Sequence, residues 1–137
     1  MKTLVAFIFG TFMVFCAWAQ DASTEPSGPV ITFEEESHDF GDIYQGDKVE
    51  HVFNFTNSGN EPLIITNVQT TCGCTAPEWP RDPVVPGQTS SITVRFNSTG
   101  KSGKQNKVIT IVSNATTPKN QVVITANVLP KEESGGE

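Results

Sequence analysis

Three stretches of this chain alternate apolar and polar residues with a period of two, and that alternation limits what it can fold into more than any other feature. From Val49 to Asn57, Val49, His51, Phe53 and Phe55 fall on one face, and Glu50, Asn54 and Thr56 fall on the other, with Val52 as the break. Ile92, Val94 and Phe96 alternate with Ser91, Thr93 and Arg95. Val122, Ile124, Ala126 and Val128 alternate with Val123, Thr125, Asn127 and Leu129. Successive side chains of a strand point to opposite faces, so each stretch reads as a strand with one buried side. A sheet that is apolar on one face must cover it with a second layer.

The remaining segments fit that scheme. Val108 to Val112 is apolar on both faces, as expected at the centre of a sheet, and Val30 to Phe33 and Leu63 to Val68 are shorter strand candidates. Asn57-Ser58-Gly59-Asn60 has turn chemistry, which predicts a hairpin between the Phe53 strand and Leu63–Val68. Pro77, Pro80, Pro83 and Pro86 forbid a helix, so Ala76 to Gly87 reads as an irregular crossover with at most one short edge strand. No helical period of useful length occurs. The expectation is an all-β chain: an antiparallel β-sandwich of about seven short strands over residues 30–129, the ~100 residues such a domain takes.

The ends read differently. Lys2, an apolar run from Leu4 to Phe15 and the Ala17-Trp18-Ala19 pattern read as a signal peptide over residues 1–19. The run is shorter than the ~20 residues a membrane span needs, so no transmembrane segment is expected after cleavage. Residues 20–29 are small and polar with two prolines, a flexible leader, and residues 130–137 form an acidic tail expected to be disordered. The full chain carries 9 Lys and Arg against 15 Asp and Glu, a net charge of −6, and loss of Lys2 makes it more negative still. Such a chain repels nucleic acid and anionic lipid. Lys101, Lys104 and Lys107 read as a solvated turn.

The unusual chemistry is concentrated at Cys72-Gly73-Cys74. In an extended strand the two Cα atoms would lie about 6.6 Å apart on one face, close to the upper limit of disulfide geometry. Gly73 lets the backbone bend and brings the sulfurs together. Three states are open on residues alone: a ring disulfide, a free dithiol, or a pair of soft metal ligands. A closed zinc site needs about four ligands, and the chain offers only His38 and His51 besides the sulfurs, so no metal site is assigned. Trp79 lies in the proline-rich crossover, either as a lid on the core or as an anchor for a partner.

Phe40-Gly41, Phe53 and Phe55 before Asn57-x-Gly59, Pro62-Leu63, Cys72-Gly73-Cys74-Thr75, Pro86-Gly87 and Ser113-Asn114 together resemble the DUF1573 family of bacterial secreted and envelope proteins. The resemblance covers Phe33 to Val128, and its most specific part is Cys-Gly-Cys-Thr. It implies an Ig-like β-sandwich, similar to ASH and major-sperm-protein domains, from a Bacteroidetes-type bacterium, with no established biochemical role. It supplies no catalytic residue.

Enzyme chemistry finds little support in the residues. His38 adjoins Asp39, but strand neighbours point to opposite faces. His51 shares the inward side of Phe53 and reads as a core-edge histidine. No phosphate loop, G-x-S-x-G elbow or H-E-x-x-H motif occurs. Glu34, Glu35, Glu36, Asp39 and Asp42 lack the spacing of a calcium loop. The expectation is therefore a non-enzyme without cofactor: an extracytoplasmic module, periplasmic, envelope-associated or secreted. It would bind an envelope protein or glycan, with oligomeric state open. The competing expectation is a thiol/disulfide or soft-metal protein acting through Cys72 and Cys74.

Overall fold

In the computed structural model, residues 27–132 are described; the expected signal peptide, most of the leader and the tail from residue 133 lie outside the described residues. Eight strands follow one another: β1 (Ile31–Phe33), β2 (Ser37–Tyr44), β3 (Lys48–Asn57), β4 (Ile65–Thr70), β5 (Thr75–Glu78), β6 (Thr89–Asn97), β7 (Gly103–Ser113) and β8 (Lys119–Leu129). They form two four-stranded sheets, β1-β3-β6-β5 and β2-β8-β7-β4. The result is an Ig-like β-sandwich. Among the described residues all pairings are antiparallel except β2 with β8, which run parallel, so the second sheet is mixed.

The alternation read from the sequence settles which side of each strand is inside. Phe53, Phe55, Ile92, Val94 and Phe96 from the first sheet and Ile109, Ile111, Val122, Ile124 and Val128 from the second are buried in one shared cluster. Val52, the residue out of pattern, stays outward and is 41% exposed. Strand parity prevails over the hydrophobicity of a single side chain, since turning Val52 inward would turn Phe53 and Phe55 out. The both-faced apolar run Val108–Val112 lies on β7, between β8 and β4, as expected of a central strand. Pro77 lies on β5, the edge of its sheet, where a residue without an N–H does least damage.

The predicted hairpin does not form. β3 pairs with β1 on one side, through Ile31↔Asn57 to Phe33↔Phe55, and with β6 on the other, from Lys48↔Asn97 to Thr56↔Thr89. Both edges of β3 near Asn57 are thus taken. The returning segment crosses to the second sheet, where β4 pairs with β7 and Leu63 bridges Val84 on the way.

Asn57 is the pivot of that crossing. It is fully buried, and its carboxamide is used on both sides. Oδ1 accepts from the N–H of Val30 (3.3 Å) and Gly59 (3.1 Å), while Nδ2 donates to the carbonyls of Glu61 (2.7 Å) and Val84 (2.8 Å). Gly59 lies so close to the backbone of Gly28–Val30 that any Cβ there would collide with Gly28 O and Val30 N. Gly28 and Pro29 are buried and tied down, with Asn60 N–H donating to Gly28 O (3.1 Å) and Thr116 N–H to Pro29 O (2.9 Å). The packed domain therefore begins two residues inside the segment expected to be a leader. Ser98 performs a similar task at the other end, its buried hydroxyl reaching the carbonyls of Tyr44 (2.9 Å) and Asp47 (2.8 Å).

Asn57→Ala takes the side-chain partner from the half-buried N–H groups of Val30 and Gly59 and from the Glu61 carbonyl, while the Val84 carbonyl keeps the Leu63 N–H, so urea denaturation at 25 °C is expected to show a loss of about 2 kcal/mol. Asn54→Ala, on the exposed face of the same strand, is expected to stay within about 0.5 kcal/mol of the parent. Equal losses would show that Asn57 is no more than a turn residue.

Candidate functional site

At the end of β4 the chain leaves the second sheet and enters the first as its edge strand β5. The turn between them holds Cys72, Gly73 and Cys74. Thr70 Oγ1 donates to Cys72 O (2.9 Å) and also lies 3.4 Å from Thr75 O, which ties the turn across its base. Asn97 N–H donates to Cys74 O at 2.9 Å, which anchors it to β6. Cys72 and Cys74 are joined by a disulfide with Cα atoms 5.3 Å apart, inside the usual range and shorter than a straight strand would give. Gly73 has no positive φ, and a Cβ there would meet nothing within 4 Å. The bend is therefore made without a conformation that only glycine adopts.

Both cysteines are half-buried, and Cys74 packs on the core. Beneath them Thr75 is 4% exposed, with its hydroxyl 3.9 Å from Cys72 Sγ and 4.0 Å from Cys74 Sγ. Beside them lies a groove of about 320 Å³, lined by Lys48, Glu50, Cys74, Ala76, Arg95 and Phe96. Arg95 projects from β6 and joins two carboxylates, donating from Nε to Glu50 (2.6 Å) and from its terminal nitrogens to Glu78 (2.8 and 3.2 Å). The hydrogen bond from Arg95, reinforced by its charge, holds the Glu78 carboxyl below the ordinary value of 4.5. The same two carboxylates push the Arg95 guanidinium upward.

Trp79 follows directly after β5. It is half-buried against the core, and Arg81 Cζ stands 3.9 Å from the ring centroid, a cation–π contact that covers the ring. Its Nε1 is buried and has no hydrogen-bond partner among the described residues. The structure thus brings two of the features singled out by sequence to opposite ends of one four-residue strand: Cys74 just before β5 and Trp79 just after it.

A second cluster escaped the reading of the sequence. The chain has two histidines, and their rings stack with centroids 3.6 Å apart and planes 8° from parallel. His38 lies on β2 of one sheet and His51 on β3 of the other. Glu35, in the connection from β1 to β2, places a carboxylate oxygen against His51 Nε2. Donor atoms of Glu35, His38 and His51 all lie within 4.8 Å of one another. The acidic run does not act together: Glu34 accepts from Asn54 Nδ2 (3.4 Å), and Asp39 accepts from Gly41 N–H (2.9 Å). That backbone N–H, followed by Thr125, lowers the Asp39 pKa. Sequence offered one hint of the cluster, since His38 has the parity of Phe40 and His51 that of Phe53.

Glu78 yields a pH prediction. A carboxyl whose folded pKa is depressed adds stability above its unfolded value, and that contribution is lost as pH falls through the folded value. Carboxyl titration by NMR is expected to place Glu78 below the ordinary 4.5 and to return it there in Arg95→Gln. An unchanged Glu78 titration in that variant would remove the ion pair from the account.

Among the described residues no helix is long and apolar enough to cross a membrane. The fold is similar to a protein of unknown function from Porphyromonas gingivalis W83, with TM-score 0.65 at 18% identity, covering 80% of this chain and 51% of that one. It is also similar to the ASH/PapD-like domain 7 of human CEP192, with TM-score 0.64 at 8% identity, covering 96% of this chain and all (100%) of that domain. A third likeness is to the secreted serine protease VesC of Vibrio cholerae, TM-score 0.56 at 17% identity, covering 72% of this chain but 23% of the protease. At these identities the likeness carries the fold alone. The chain spans about half the length of the Porphyromonas protein (51%). No curated protein matches the sequence. Residues 31–128 match the model of a family described as protein of unknown function (DUF1573).

Proposed function

The chain belongs to the DUF1573 family, and from that premise we propose that it is a non-catalytic binding module of the bacterial cell exterior, with its working face around β5. The observation that carries the reading is the placement of the Cys72–Cys74 disulfide and Trp79 at the two ends of one edge strand, with a groove rimmed by Lys48, Glu50 and Arg95 beside Cys74. A half-buried aromatic, a rigid corner and a charged rim are the parts from which protein interfaces are built. Arg81 already covers the Trp79 ring, so a protein partner fits better than a sugar, which would need that face for stacking. An oxidising compartment suits the disulfide, and a signal peptide over residues 1–19 would be the route there.

A thiol–disulfide role is the second reading, supported by the half-exposed sulfur pair with the Thr75 hydroxyl within reach of both atoms. The two readings separate in one set of variants. In capture from the cell envelope, the same protein is expected to bind the parent and the exposed-face control Gln121→Ala, and to be lost in both Trp79→Ala and Cys72→Ser/Cys74→Ser. A partner retained in both variants would move the working face elsewhere. Turnover of thiol or disulfide substrates is expected to be equal in parent and double-serine protein, and a clear excess in the parent would put the redox reading first.

A further inference from the structure

The Glu35–His38–His51 cluster lies on the side of the sandwich away from β5. β1 covers β3 only at Phe55, Thr56 and Asn57, and beyond that point the chain turns through Glu34–Glu36 into β2 of the opposite sheet. His51, inward on β3, and His38, on β2, meet across the gap between the sheets. Phe40 approaches His38 edge-on (centroids 4.7 Å, 78°) and Phe53 approaches His51 in the same way (4.8 Å, 81°), so an aromatic wall backs the pair. The His51 side chain is 20% exposed, and Glu35, 44% exposed, closes the solvent side.

A Glu35–His51 hydrogen bond accounts for two of these groups but not for a second imidazole whose ring centroid is held 3.6 Å from the first. The geometry points to a site for one divalent transition-metal ion of borderline softness, zinc above all, held by His38, His51 and Glu35. Two imidazoles and one carboxylate are a known zinc donor set that leaves a position for solvent, whereas calcium and magnesium take oxygen donors. Ligands about 2.0–2.1 Å from one ion lie roughly 3.3 Å from each other, so donors now within 4.8 Å of one another have at most about 1.5 Å to close. The ion must lie in the plane of each ring, so binding tilts the two rings out of their parallel stack. Because His38 and His51 belong to different sheets, the bound ion staples this side of the sandwich. The site is independent of the β5 face.

The test uses the full chain with its disulfide intact and zinc ions alone. Calorimetric titration is expected to give one zinc per chain and a raised thermal midpoint, since an ion that binds only the folded state stabilises it. In NMR spectra the ring protons of both histidines are expected to move downfield as the stack opens. Glu35→Gln, at an exposed position, and His38→Gln are each expected to weaken zinc at least tenfold while keeping the parent far-UV spectrum. Cys72→Ser/Cys74→Ser is expected to bind zinc as the parent does. Failure of the parent to bind, or binding unchanged in Glu35→Gln and His38→Gln, would overturn the assignment, as would loss of binding in the double-serine protein.

Discussion

Neither four-stranded sheet has an apolar face it can leave in water, and the shared interior between them is the constraint from which the rest of the structure follows. Phe53, Phe55, Ile92 and Val94 on one sheet and Ile109, Ile111 and Val122 on the other are 0% exposed. Complete burial of side chains of this size is worth roughly 1.5–3 kcal/mol each. That gain exists only while both layers are in place. The polar ties at Asn57 and Ser98 add direction to it, fixing where the chain crosses from one layer to the other.

Crossings are also where the chemistry collects. A residue inside a strand is committed to a face and to its ladder partners, but a residue between sheets has backbone and side chain to spare. The β4-to-β5 crossing carries the disulfide and leads into Thr75, the first residue of β5. The β1-to-β2 crossing carries Glu35 and delivers His38 to His51. These two places lie on opposite sides of one core.

What could be read from the residues divides along the range of the interactions. Parity along a strand is local, and it placed Phe53, Phe55, Ile92, Val94, Phe96, Ile124 and Val128 inside and Val52 outside. The nearness of Cys72 to Cys74 is local as well. Pairing is not: turn chemistry at Asn57–Asn60 is real, yet β3 already has β1 and β6 beside it, residues far away in sequence, and the turn becomes a crossing. The same limit hid the histidine stack, since His38 and His51 sit on strands that do not pair. Asn57 reads as a turn residue in sequence because nothing nearby shows that Val30 and Val84 will close over it. Gly59 is the trace that remains, a residue whose lack of a side chain is needed by backbone about thirty positions earlier.

The two sheets share one interior, and native-state hydrogen exchange followed by NMR reads that directly. Amides in the ladders of β3 with β6 and of β7 with β8 are expected to be the slowest in the protein and to exchange through one common opening with the free energy of global unfolding. Separate opening energies for the β3–β6 and β7–β8 ladders would mean two independently stable layers, and would contradict it.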